Sequence, residues 1–148
     1  MAQKKTGKTV RLGSAAGWSR DRFEPATDLM NRGNVNYLCF DSMSEVTMSA
    51  AQVSRMETDR VPPYDPYLLP RMEPILKTCK EKGIKIITNQ GWLDPEEAAQ
   101  QVAALAIKLG IQNLRVASVS GGILTKTIGT MGLDFIETGK PIAESLET

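Results

Sequence analysis

The sequence contains no histidine. That removes the side chain most often used as a general base near neutral pH and the commonest metal ligand. Chemistry must then use carboxylates, amides, hydroxyls, Cys or Lys, or borrow groups from elsewhere, and a self-contained Ser-His-acid triad is excluded. Cysteine is scarce too: Cys39 and Cys79 lie far apart without a CxxC. Neither a zinc site nor a disulfide framework is suggested, and both thiols read as reduced and buried. No metal ligand set can be named. Apolar runs never approach the ~20 residues of a membrane span, and the N-terminus lacks the apolar segment of a secretion signal. The chain therefore reads as cytoplasmic, with no membrane partner. With 18 Lys plus Arg against 17 Asp plus Glu, the net charge of +1 gives no reason to expect nucleic acid. Nucleotide motifs are missing as well, since Gly13-Ser-Ala-Ala-Gly17 is not GxGxxG and no GxxxxGK[ST] occurs. The cofactor is left unknown.

What is present is an alternation. At 148 residues the chain suits one domain. The basic segment 1–9 reads as a solvated, flexible tail with nothing apolar to bury. Strand patterns occur at TVRLGSAAG, at VNYLCF (35–40), at IKIIT (84–88) and at LRVASV (114–119). VNYLCF is almost continuously apolar, as a strand covered on both faces requires. Between the strands lie helical patterns. Asp21 and Glu24 have capping-box spacing ahead of Phe23, Ala26 and Met30, and Gly33 stops that helix. A second helix opens near Ser44 with Val46, Val53 and Met56 in one stripe. Four prolines between Pro62 and Pro70 make 61–65 a loop. A third helix carries Met72, Ile75, Leu76 and Cys79, with Pro74 as a potential kink and Gly83 as its stop. A fourth has Asp94 as cap, Pro95 in the first turn, Glu97 completing the box, and Val102, Leu105, Ala106 and Leu109 as its apolar stripe.

This βαβαβαβ order predicts an α/β domain over 10–124: a mostly parallel sheet of about four strands with helices on both faces, a Rossmann-like three-layer arrangement. Residues 125–148 read as a C-terminal extension. Its Ile128, Met131, Leu133, Phe135 and Ile136 lack the caps and period that would bury them within the chain, so the extension is expected to pack on a partner or on further sequence.

In an open parallel sheet the ligand edge lies at the strands' C-terminal ends. Four segments reach it: Gly13–Trp18, Asp41–Thr47, Thr88–Trp92 and Ser118–Gly122. Gly13, Ser14, Gly17, Trp18, Asp21, Arg22, Thr47, Thr88, Asn89, Gly91, Trp92, Ser120 and Gly121 are the candidate substrate-binding residues. Asn89 and Gln90 offer amide donors and acceptors, Gly91 a close backbone approach and Trp92 a wall. The alternative is that Asn89 and Gly91 only supply turn conformations and Trp92 packs on the helix it precedes. Asp41 and Glu45 are the candidate catalytic acids, with helix capping or helix-dipole complementation as their structural alternative. Ser120 is no nucleophile elbow, because GxSxG is missing.

Residues 13–22 (GSAAGWSRDR), 37–48 (YLCFDSMSEVTM), the Pro-Tyr loop before EPIL and 84–95 (IKIITNQGWLDP) resemble the N-terminal part of the acyclic terpene utilization AtuA family. The resemblance covers nearly everything after residue 9. It implies a setting in bacterial catabolism of acyclic terpenes such as citronellol and geraniol, or other carboxylate or acyl-CoA degradation. Gly13, Gly17, Asp21, Arg22, Asp41, Glu45, Thr47, Asn89 and Gly91 carry over as site elements. Two departures stand out. Where the family commonly has an acidic Gly-Asp segment after the fourth strand, this chain has Ser120, Gly121 and Gly122. The family also continues past a segment similar to TGKPIAESLET into an Ala-Asn-Ala-Tyr-Leu-Gly-like motif absent here, which implies a fragment, a split subunit or a truncated product.

The leading expectation is part of a lyase- or hydratase-type enzyme acting on a small carboxylate or acyl-CoA by addition, elimination or cleavage. Asp41 and Glu45 would be its acid/base groups, Asn89 an orienting amide and Arg22 a carboxylate or phosphate clamp. The alternative is a non-catalytic scaffold or regulatory subunit. Either way a homo-oligomer, or a complex with a chain carrying the rest of the family sequence, is expected.

Overall fold

A computed structural model of the chain describes residues 7, 9–58 and 61–146; most of the expected basic tail lies outside them. Two compact units divide at Ser118, Met1–Ser118 and Val119–Thr148. The first unit holds β1 (Leu12–Ala16), α1 (Glu24–Arg32), β2 (Tyr37–Phe40), α2 (Glu45–Glu57), α3 (Leu68–Met72), α4 (Leu76–Lys82), β3 (Lys85–Thr88) and α5 (Pro95–Lys108). The parallel sheet has the order β1-β2-β3. The class is α/β, as the alternation predicts.

The sheet has three strands among the described residues, where the sequence pointed to about four. Leu114–Val119 is not paired with any strand, and its side chains are mostly exposed. The sequence supplies β propensity, but a ladder also needs an edge that the chain's path brings alongside. That path is set by two left-handed residues after α5, Gly110 (φ 69°) and Asn113 (φ 55°). The Nζ of Lys80 on α4 donates to the carbonyl of Asn113 at 2.9 Å and holds the turn there.

The core lies on one side of the sheet. Leu38 and Phe40 of β2 meet Ala26 and Met30 of α1, Leu68 and Met72 of α3, Cys79 of α4, and Ala98 and Leu105 of α5 in one cluster. Gly13 permits α1 its approach: a Cβ there would lie 3.0 Å from Val35 Cγ1 and 3.1 Å from Leu29 Cδ1. Both crossovers thus run over the same face. A strand order that never reverses, with crossovers of one hand, has this result; helices reach the other face only after a reversal. Register places Leu12, Tyr37 and Lys85, then Ser14, Cys39 and Ile87, on the opposite face. The expected helical layer on that face is not among the described residues.

Local signals fare better. Gly83 ends α4 in the left-handed region (φ 71°), and the 73–75 break separates α3 from α4 next to Pro74. Asp94 Oδ1 accepts from the Glu97 N–H at 2.9 Å and starts α5. Ser44 caps α2 through a capping box whose partner is Thr47. Two expectations change. α1 has no side-chain cap, because Asp21 is engaged in the turn before it. The Val46, Val53 and Met56 stripe of α2 faces outward, and Ala51 is that helix's one buried residue.

The second unit is described by itself. It holds α6 (Thr125–Gly129), a short 3-10 helix (Ile142–Ser145) and an antiparallel bridge between Asp134 and Pro141. Met131, Leu133, Ile136 and Leu146 are exposed, and none of its described residues is fully buried. Among the described residues no helix is long and apolar enough to cross a membrane.

Candidate functional site

At the C-terminal ends of β2 and β3 the side chain of Asn89 joins two loops. Its Oδ1 accepts from the backbone N–H groups of Ser42 (2.7 Å) and Met43 (3.2 Å), just ahead of α2. Its Nδ2 donates to Asp41 Oδ1 at 2.7 Å. The amide thus orients the Asp41 carboxylate, whose second oxygen has no partner among the described residues and whose side chain is exposed. Thr47 closes the same loop, its hydroxyl donating to the Ser44 carbonyl at 2.9 Å and accepting from the Ser44 N–H at 2.8 Å. The Ser42 hydroxyl is buried with no hydrogen-bond partner among the described residues. Glu45 opens α2 and is exposed, where a carboxylate also complements the helix dipole.

Beneath the edge lies a buried polar hub centred on Asp65 and Arg71, neither of them among the candidates read from the sequence. Asp65, in the proline-rich loop, is fully buried. Its Oδ1 accepts from Ser19 Oγ (3.0 Å) and the Tyr67 N–H (2.9 Å), and its Oδ2 from Gln90 Nε2 (2.9 Å). Buried Arg71 of α3 donates to the carbonyls of Ser19 (2.9 Å), Asp21 (2.6 Å) and Arg22 (3.1 Å), and its guanidinium lies 4.5 Å from the centre of the Phe23 ring. Burial pushes the Arg71 pKa down, while the nearby Asp65 and Asp21 carboxylates push it up. Three loops, 17–23, 61–67 and 88–92, are thereby fixed to one another. The signal available in sequence was an acid among prolines and an arginine inside an apolar helical pattern.

The remaining candidates separate by location. Asp21 Oδ2 accepts from the Gly17 N–H (3.0 Å) and Oδ1 from the Arg22 N–H (2.8 Å), and these two bonds hold its carboxyl below the usual aspartate range. The Trp18 ring and the Arg22 side chain extend from that turn into solvent. Thr88 bonds to Gln90 through its hydroxyl. Gly91 serves packing, because a Cβ would lie 2.7 Å from Pro95 Cα. Trp92 adopts φ 40°, with its indole N–H buried and unpartnered. Gly13 is interior and Ser14 sits on the open sheet face, so neither reaches the edge. Ser120 and Gly121 belong to the second unit and are exposed there.

Away from the edge, shallow hollows lie along α1 at Pro25, Leu29 and Gly33 and between α3 and α5 at Leu69, Gln101 and Leu105. Cys79 is chemically quiet, its thiol pushed up to about 11 by burial. Cys39 is only half-buried and lies on the open sheet face, against the expectation that both thiols are interior.

The family model for the acyclic terpene utilisation family protein AtuA matches residues 10–147. The chain belongs to the AtuA family. The match takes in Asp41, Asn89 and the whole buried hub of this AtuA-family chain. No curated protein and no solved structure matches it.

Proposed function

We propose that the chain carries part of a catabolic site for a small carboxylate or acyl-CoA in acyclic terpene or related degradation, working by addition, elimination or cleavage. Asp41 transfers the proton. Asn89 sets the carboxylate's orientation, and the exposed Arg22 clamps the anionic group of the substrate. Glu45 is the second acid/base group. The observation that carries this reading is the Asn89 amide, spent on Asp41 at one end and on two backbone N–H groups at the other. A carboxylate oriented at a sheet edge, its second oxygen unpartnered among the described residues, suits proton transfer, and that supports the reading. Family membership supports the acyclic terpene setting.

Assays of the purified chain with an acyclic terpenoid acid such as geranate, and with its CoA thioester, test the proposal. Asp41→Asn is expected to lose roughly 100-fold or more in turnover, the usual worth of a general acid or base. Turnover equal to the wild type in that variant, with folding intact, removes Asp41 from the mechanism.

The second reading, a scaffold or regulatory subunit, is favoured by the outward apolar stripe of α2. Substrate-independent stimulation of a co-purifying enzyme, with no turnover by the chain alone, would select it.

A further inference from the structure

We infer that the chain forms a two-fold dimer in which α2 of each copy lies across the open sheet face of the other. All-parallel sheets occur almost only with both faces covered. Here one face carries α1, α3, α4 and α5, while the other presents Leu12 (68% exposed), Tyr37, Cys39 and Ile87 (55%). The layer that such a face takes is an amphipathic helix. Among the described residues α2 offers such a helix face, turning Val46 (75%), Val53 (54%) and Met56 (72%) outward. Its inner side is already used, with Ala51 buried and Arg55 bonded to the Val61 carbonyl at 2.8 Å.

Dimensions and charge agree. Three strands about 4.8 Å apart present a face roughly 10 Å wide, and strands of this length run roughly 13 Å. One helix is about 10 Å across, and the Val46 to Met56 stripe is about 15 Å long. The only charge among the six residues of the sheet face is Lys85, whose Nζ lies 5.3 Å from the centre of the Tyr37 ring. The α2 stripe is flanked by exposed Glu45 and Glu57, so the two surfaces are opposite in sign. A second copy supplies both missing halves at once, and a reciprocal pair closes where a single head-to-tail contact would run on into a filament. The dimer would give each sheet the helix layer that its own crossovers leave out.

The test is light scattering after size exclusion, at micromolar concentration, on the full chain, on Val53→Glu, on Ile87→Lys and on an equimolar mixture of the two variants. Both positions are exposed, so each variant should keep the wild-type circular dichroism; if either does not, Met56→Glu with Leu12→Lys replaces the pair. The wild type is expected at twice the 16.2 kDa chain mass. Each variant alone should dissociate at least tenfold more readily, because two like contacts are spoiled. The mixture should dimerise again, having one native contact and one Glu–Lys contact. A monomeric wild type, variants that dimerise like the wild type, or a mixture that stays dissociated would each overturn the arrangement.

Discussion

Asp65 ties the 17–23, 61–67 and 88–92 loops together beneath the edge. It is fully buried and takes hydrogen bonds from Ser19, Tyr67 and Gln90. Asp65→Ala strands those donors in a water-poor interior, and an unsatisfied buried donor costs ~1–3 kcal/mol. A loss of about 2–4 kcal/mol in urea denaturation is expected, since some donors will find water. A loss below about 1 kcal/mol would show that the loops are held by other means. Asp21 gives a pH-dependent counterpart. Its folded carboxyl is depressed below the ordinary value of 3.8 by the Gly17 and Arg22 N–H groups. The sign follows: its contribution is present above that value and disappears as the pH falls through the folded pKa. The stability gap between the wild type and Asp21→Ala should therefore be steady near neutrality and narrow below about pH 4. A gap that widens on acidification would contradict it. Asp41 and Asn89, which the structure joins by a hydrogen bond, could be singled out in the sequence because amides and acids at strand ends are visible one at a time. Asp65 and Arg71 could not, because their meaning rests on burial and on partners 25 to 52 positions away.

Among the elements, those specified locally were the readable ones. The Asp94 cap, the α5 stripe and the Gly83 stop each rest on neighbours within a few residues. Asp94→Ala should cost about 1 kcal/mol, the usual worth of an N-cap, in the same denaturation assay. Gly91→Ala should cost more, in the range of about 1–3 kcal/mol for overpacking, because the new methyl meets the backbone of Pro95 at 2.7 Å. An unchanged midpoint for Gly91→Ala would show that the start of α5 can yield. Elements that need a distant partner were less readable. LRVASV has the composition of a strand, but no edge lies alongside it. Val46, Val53 and Met56 have helical spacing, and that spacing indicates a face to be covered without saying by what.

For the molecule as a whole, the unreversed strand order explains why one sheet face is packed and the other bare, while the C-terminal edge brings Asp41, Asn89 and the α2 N-terminus together. Placing the site at that edge is the central claim, and it predicts where on the surface a ligand lands. Titrating the isotopically labelled chain with geranate while following backbone amide resonances tests it most directly. The amides of Ser42, Met43, Ser44, Asn89 and Gly91 should shift together and saturably, and the response should be lost in Asn89→Ala. Saturable shifts confined to the hollow between α3 and α5, with the edge amides unmoved, would contradict the account.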